Sequence, residues 1–448
     1  MLKAITGRDA SESSGLELLE ELVRRLPRER RVFTTQALCF LMIGHYLVER
    51  WSLSESLRVL LETGAQKFLG RCKRVDRGVH SLNTSGISQA RSALSIEALR
   101  SVWQALLSEL KEHDVQWHGR GVKTIDGSSE ALPPLSALRR AYPPTKNQFG
   151  ESAYPVLQLT MMHDAMSGVA EDYELAPLNG DARRGELEQS RLIMSRLSGG
   201  TVVIADRGHG ILQMVRHAHT HGLDVVYRLK EDIAKSLMRR NKVAIALQVD
   251  LDLSVEWAPS KEELREHPGW KPHDSIPGRI ITKRVLSKDK ELFLVLFTTL
   301  DKSFGASDIV KLYGHRWEIE GEIRDLKKAI GLSEITAHTP AMIAKEVTAA
   351  IVAYNIVRAV ILAAAKAHGI DDPKRVSFKN AFVVVKDTVW RILEARTRQE
   401  RDRLMERCLY WIAARVNKKR TRRSFPRTVY KRQSKYKPKR PNNDGVWA

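Results

Sequence analysis

Four residues with reactive side chains fall at helical spacing within YGHRWEIEGEIRDLKK: Tyr313, Arg316, Glu320 and Lys327. Steps of three, four and seven set a phenol, a guanidinium, a carboxylate and an ammonium along one line of a helix that turns ~100° per residue. Glu320 is a hard oxygen ligand for a metal ion, and its three neighbours are donors to phosphate. A solvated helix face with an Arg316–Glu320 ion pair at i,i+4 gives the same pattern, so the line alone leaves both readings open. Ile319, Ile323, Leu326 and Ile330 recur at steps of four, three and four and form a second stripe about 80° away, which packs on a core. Glu318 and Glu322 fall on other faces of this helix and are expected to take no part in chemistry.

Two further carboxylates follow apolar strands directly. Asp126 comes after VKTI in a short strand expected to end at Asp126-Gly127, and Asp206 comes after TVVIA. In open α/β sheets sites gather at strand ends, so carboxylates on neighbouring strand ends can converge on one point. Asp164, after LTMMH, reads instead as a residue of the hairpin turn DAMSG. Asp126-Gly127 by itself is equally compatible with a turn.

These groups need a scaffold to hold them. Residues 16 to 110 read as helices, with a capping box at Ser52 and Glu55 and a basic patch from Arg24 to Arg31. From Gly121 the pattern becomes three strands in an antiparallel meander, then the helix GELEQSRLIMSRL, the strand ending at Asp206, a further helix, and the strand LDVVYRLK. A meander followed by alternating strand and helix predicts an α/β fold with a mixed sheet and helices on its faces. Composition then shifts to a β-rich segment with a capping box at Ser260 and Glu263, and residues 341 to 414 are again helical. The expected divisions are a helical region over 1–115, whose basic connectors fit a DNA-binding head as well as helices that merely pack, a core over 116–230, a β-rich insertion over 231–304, the second part of the core over 305–340, a helical region over 341–414 and a basic tail over 415–448.

The chain has 448 residues, 43% of them apolar, and a formal charge of +21, which favours a polyanion as partner. Residues 415 to 440 contribute thirteen Lys or Arg and no acid, with Phe425, Tyr430 and Tyr436 interleaved. Such a block reads as a phosphate-binding tail. Ala349 to Ala367 is interrupted by polar residues and reads as a buried helix rather than a membrane span. The N-terminus lacks an apolar secretory core, and Cys39, Cys72 and Cys408 show no CxxC spacing. A reducing cytoplasm without disulfides or a zinc site is the expectation.

Asp126 in IDGSS, Asp206 in ADRG and Glu320 inside Tyr-x2-Arg-x3-Glu-x6-Lys together resemble the DDE transposases of bacterial insertion sequences, the group named for its Y-R-E-K signature. Tyr313, Arg316, Glu320 and Lys327 have that signature's spacing, and Trp317 follows the Arg as in many members. YRLK (Tyr227 to Lys230) and AYNIVR (Ala353 to Arg358) resemble other blocks of the group, so the resemblance covers nearly the whole chain. It departs at His209, where many members carry an aromatic residue. The insertion strand ELFLVLFTT also lacks a Trp that stacks on an unpaired base in a relative, leaving Phe293 and Phe297 as the aromatic residues there.

The resemblance implies a ribonuclease-H-like mixed sheet with a β-rich insertion, flanked by helical N- and C-terminal regions. It implies that Asp126, Asp206 and Glu320 are catalytic and hold two Mg²⁺ ions, for which Mn²⁺ substitutes. DNA contacts are implied for Tyr313, Arg316, Trp317, Lys327, Arg207, Arg228 and Lys230. The expected partners are terminal inverted repeats, target DNA and a second copy of the chain, with no membrane and no small-molecule substrate. A transposase-derived DNA-binding protein without catalysis is the alternative.

Overall fold

The computed structural model describes residues 32–47, 52–62, 64–70, 83–111, 115–148, 150–287 and 290–417, with residues 19 and 22–26 ahead of them. Most of the basic patch, residues 27–31, and the tail beyond 417 lie outside the described residues.

Among the described residues the helices α1 (Thr35–Leu47), α2 (Leu53–Glu62), α3 (Ser85–Ala93) and α4 (Ile96–Leu110) precede the sheet. Ser52 and Glu55 exchange side-chain and backbone hydrogen bonds and so cap α2. A run of apolar residues on every side makes α1 a buried helix, with eleven of its thirteen residues buried.

The sheet follows in the order β1 (Val122–Ala131), β2 (Pro144–Asn147) after the short helix α5 (Ser136–Ala141), β3 (Gly150–Asp164) and β4 (Ala170–Pro177). Helix α6 (Glu186–Met194), β5 (Val202–Ala205), α7 (Leu212–Thr220), β6 (Asp224–Arg228) and α8 (Glu231–Arg240) complete the first part. The second part holds β7 (Leu251–Trp257), α9 (Lys261–Glu266), β8 (Ile276–Ser287) and β9 (Lys290–Thr298). After it come α10 (Ala306–Gly314), α11 (Arg316–Asp325), α12 (Pro340–Ala367), α13 (Phe378–Glu394) and α14 (Arg398–Ala413).

β3 pairs antiparallel with both β1 and β4, whereas β5 runs parallel to β1 and β6 parallel to β5. That order, β4-β3-β1-β5-β6, is the mixed sheet of a ribonuclease-H-like fold. β9 then adds antiparallel to β6 and carries β8 and β7 beyond it, so the insertion extends the same sheet.

Three apolar clusters hold the elements. The largest joins α1 and α4 to α12, α13 and α14 and to one face of β3, so the first and last helical stretches share one core. The second lies between β5, β6, α6, α7, α8 and the insertion, and the third lies under α10. Helix α12 is long and apolar enough to cross a membrane, but 89% of its most apolar stretch is buried inside the protein. It is the central post of the largest core.

Two expectations need correcting here. β1 does not end at Asp126: it runs on to Ala131, because β3 keeps pairing with it as far as Ala131↔Val156. Only the other edge of β1 is released, where β5 stops at Ala205. Phe297 is fully buried edge-on to Trp257, with ring centroids 4.7 Å apart, and is unavailable for stacking on a base.

Candidate active site

Parallel pairing sets the first two carboxylates side by side. β1 and β5 are in register at Thr124↔Ile204, and two more residues along each strand come Asp126 and Asp206. Neighbouring parallel strands lie about 4.8 Å apart, so the register alone brings these carboxylates within electrostatic reach. Burial, together with the negative charges of Glu186 and Asp206, pushes the Asp126 carboxyl up to about 6, against the Gly127 N–H and Arg316. Asp206 moves the other way, to about 2, because His209 hydrogen-bonds it and Gly208 N–H adds a second donor. Two acids in one cleft thus have different proton affinities for identifiable reasons.

Glu320 lies on α11, more than half exposed, and is linked to the two aspartates through Arg316. Arg316, one turn earlier on that helix, donates from Nη2 to Glu320 Oε1 at 2.9 Å. The guanidinium is buried, and its charge also lowers both Asp126 and Asp206. One cation therefore serves three carboxylates. Trp317 is 48% exposed, and its ring lies 5.1 Å from the Arg316 guanidinium.

The helix expected to carry the single line of four side chains is interrupted. Tyr313 belongs to α10, His315 breaks the helix, and α11 begins at Arg316. The Tyr313 ring packs in the core with Ile309 and Leu312 and is 1% exposed, while its hydroxyl, pushed up to about 12 by burial, lies against Arg316 and near Arg228 and Asp206. Its burial does not support a DNA contact. Beyond Asp325 the helix widens to a π-turn over Leu326–Ile330, and Gly331 closes it with φ 94°. Lys327 is thereby turned onto β1, where its Nζ meets Glu130 at 2.5 Å, Ser128 Oγ at 3.0 Å and Ser129 O at 3.1 Å. Arg207 and Lys230 are exposed and Arg228 is half-buried.

Two glycines let the parts approach. A Cβ on Gly127 would lie 2.6 Å from Glu186 Cδ, and one on Gly210 would lie 2.3 Å from Arg228 O. The first glycine admits Glu186 to the end of β1, and the second lets the loop after Asp206 fold onto β6.

Glu318 and Glu322 lie on other faces of the helix than Glu320. Glu322 is 3% exposed, and its carboxylate meets Lys374 Nζ at 2.8 Å, while Glu318 meets the same Nζ at 2.5 Å. Both carboxylates pin α11 to the segment Pro373–Arg375. Asp164 accepts from Ser167 N, Ser167 Oγ and Met166 N and pairs with Lys123, as a turn residue does.

Glu186 was not anticipated. It is the first residue of α6, and Gly127 N–H donates to its Oε1 at 3.1 Å. In sequence it looks like an acid complementing a helix N-terminus, and only the packing of α6 across β1 brings it to Asp126.

The donor chemistry suits a hard divalent cation: the oxygens are carboxylate, and burial with like charge leaves Asp126 short of positive charge. Asp126, Asp206 and Glu320 are the residues that could hold such an ion. Among the described residues no three acidic, His or Cys side chains stand close enough together to form a finished metal cage; Glu320 is engaged by Arg316 instead.

Residues 114–356 match the family model described as a transposase DDE domain. The transposase InsG for insertion sequence element IS4 of Escherichia coli (strain K12) is 24% identical over 281 residues, 61% of this chain. The chain spans 60% of that relative's length. Among solved structures, the cryo-EM structure of a piggyBac transposase synaptic complex with hairpin DNA is 13% identical and has a TM-score of 0.39, covering 88% of this chain and 81% of its own.

Proposed function

Because the chain belongs to the transposase DDE-domain family, we propose that it binds the ends of its own mobile element and carries out metal-dependent cleavage and joining of DNA strands. The observation that carries this reading is the β1–β5 register, which sets Asp126 beside Asp206 and leaves one edge of β1 open to Glu320 and Arg316. In the proposed chemistry water attacks a phosphodiester, the P–O3′ bond breaks, and the leaving 3′-oxygen takes a proton. The freed 3′-hydroxyl then attacks a second phosphodiester and displaces its 3′-oxygen in turn.

Divalent cations, Mg²⁺ by preference, would activate the nucleophile and neutralise charge on the attacking and leaving oxygens. Asp126, Asp206 and Glu320 would hold them. Arg316, already buried among these acids, balances the cleft and orients Glu320. Trp317 offers an exposed ring at the rim, and Arg207, Arg228 and Lys230 give the neighbouring surface a positive charge for DNA phosphates. Lys327 would join them by exchanging its Glu130 partner for a phosphate. Bringing two ends together calls for at least two copies of the chain.

The test is strand nicking on the element's own end sequences with Mg²⁺ or Mn²⁺. Asp126→Asn, Asp206→Asn and Glu320→Gln should each lower the single-turnover rate by on the order of 10³-fold while end binding stays within about twofold. A wild-type protein that binds the ends but never nicks them would favour a DNA-binding descendant without catalysis.

A further inference from the structure

His209 occupies the turn that leads off β5 and is 1% exposed. Each of its ring nitrogens has a partner: Nδ1 lies 3.1 Å from Asp206 Oδ1, and Nε2 lies 2.9 Å from Ser190 Oγ on α6. An ionised carboxylate only accepts, so Nδ1 carries the hydrogen. In the neutral ring Nε2 is then the acceptor, and the Ser190 hydroxyl donates to it. The serine thereby fixes the tautomer that Asp206 requires.

Both donors to Asp206 fall on one oxygen. Gly208 N–H reaches Oδ1 at 2.8 Å and His209 reaches the same atom, while among the described residues no hydrogen bond reaches Oδ2. A carboxylate with one oxygen pinned and the other open is oriented as a ligand before anything binds. A serine, a histidine and an aspartate in series also make up the chain of a covalent hydrolase, but Ser190 is fully buried and donates its hydrogen inward, so no substrate can reach its oxygen.

We propose that Ser190 and His209 are positioning residues that lock the Asp206 carboxylate so that Oδ2 is presented to the divalent cation and the reacting DNA. The inference rests on the reading of Asp206 as a catalytic carboxylate. It assigns a second task to α6, since Glu186 and Ser190, one turn apart on that helix, serve the two neighbouring aspartates.

The experiment uses the full chain bound to its end DNA and measures Mn²⁺ affinity from the free-ion paramagnetic signal, alongside single-turnover nicking. In His209→Asn the side-chain amide can stand where Nδ1 stands and still donate to Asp206. In His209→Gln the amide reaches the Nε2 position, keeps Ser190 and loses Asp206. The expectation is near wild-type behaviour for Asn and a loss of roughly 10- to 100-fold in Mn²⁺ affinity for Gln, with a parallel loss of nicking. Ser190→Ala, which removes only a hydroxyl, should lower Mn²⁺ affinity several-fold. Equal behaviour of the Asn and Gln variants, or unchanged Mn²⁺ affinity in both Ser190→Ala and His209→Gln, would overturn the proposal. Asp206→Ala is the separate control: if it binds Mn²⁺ and nicks like wild type, it is the reading of Asp206 itself that fails.

Discussion

Asp126 carries its charge at a cost. Its carboxyl, pushed up to about 6 by burial and by Glu186 and Asp206, binds a proton more tightly in the folded chain than in the unfolded one. A raised pKa gives stability that is present below the unfolded value near 4 and is lost as pH rises through 6. In the cation-free protein Asp126→Asn should therefore stabilise the fold at pH 8 by on the order of 2 kcal/mol and make little difference at pH 4. Thermal unfolding at the two pH values checks it; an equal effect at both would mean that the charge is already compensated. At this scale Asp126, Asp206 and Glu320 were legible because each sits at a recognisable place, two after apolar strands and one in a signature of fixed spacing. Glu186 and Ser190 were not, since nothing local distinguishes an acid or a serine on a helix that happens to cross β1.

The helix carrying Glu320 shows where periodicity stops being a guide. Its apolar stripe holds, with Ile319, Ile323, Leu326 and Ile330 all buried, because burial of that face drives the packing. The polar line survives as a set of contacts, with Tyr313 against Arg316, Arg316 bonded to Glu320 and Lys327 lying on β1, the strand of Asp126, but the break at His315 and the π-turn at Leu326–Ile330 leave no mark in a count of threes and fours. Glu322 is the sharper lesson. Its carboxylate sits buried beside Lys374 and close to the Arg358 guanidinium, so an acid whose spacing says only that it is off the Glu320 face is the counter-charge of two buried cations. Glu322→Ala should destabilise the protein by about 3–5 kcal/mol, the usual result of stranding a buried charge. A melting temperature within a degree of wild type would remove Glu322 from that role.

For the whole molecule, the start of the basic run overlaps the last described residues. Ser377 N–H donates to Arg415 O, Asn417 N–H donates to Arg375 O, and Val376 bridges to Val416. The chain is thus tied down two residues past the point where the basic run begins. Truncation after Asn417 should leave a folded protein with unchanged thermal stability and weaker affinity for DNA of any sequence. The dependence of log affinity on log salt should become shallower, by about 0.9 for each phosphate the tail no longer neutralises. Salt titrations of end and random duplexes would show it, and loss of end-specific binding alone would contradict it. The alternation of strands and helices made the mixed sheet legible from sequence. The sharing of one core by the first and last helices was not, because α1 and α12 are apolar on most sides and such helices do not announce their partners.

β9 closes the sheet late in the chain. Arg228 at the end of β6 pairs with Leu296, so until the ribosome has added that distant strand, β6 is an open edge able to pair with whatever strand it meets. Over the same interval Asp126, Glu186 and Asp206 have been synthesised while Arg316 has not. A nascent chain therefore holds its acids before their counter-ion and an uncapped strand before its cap, and the addition of residues 290 to 316 relieves both conditions in one short span of synthesis.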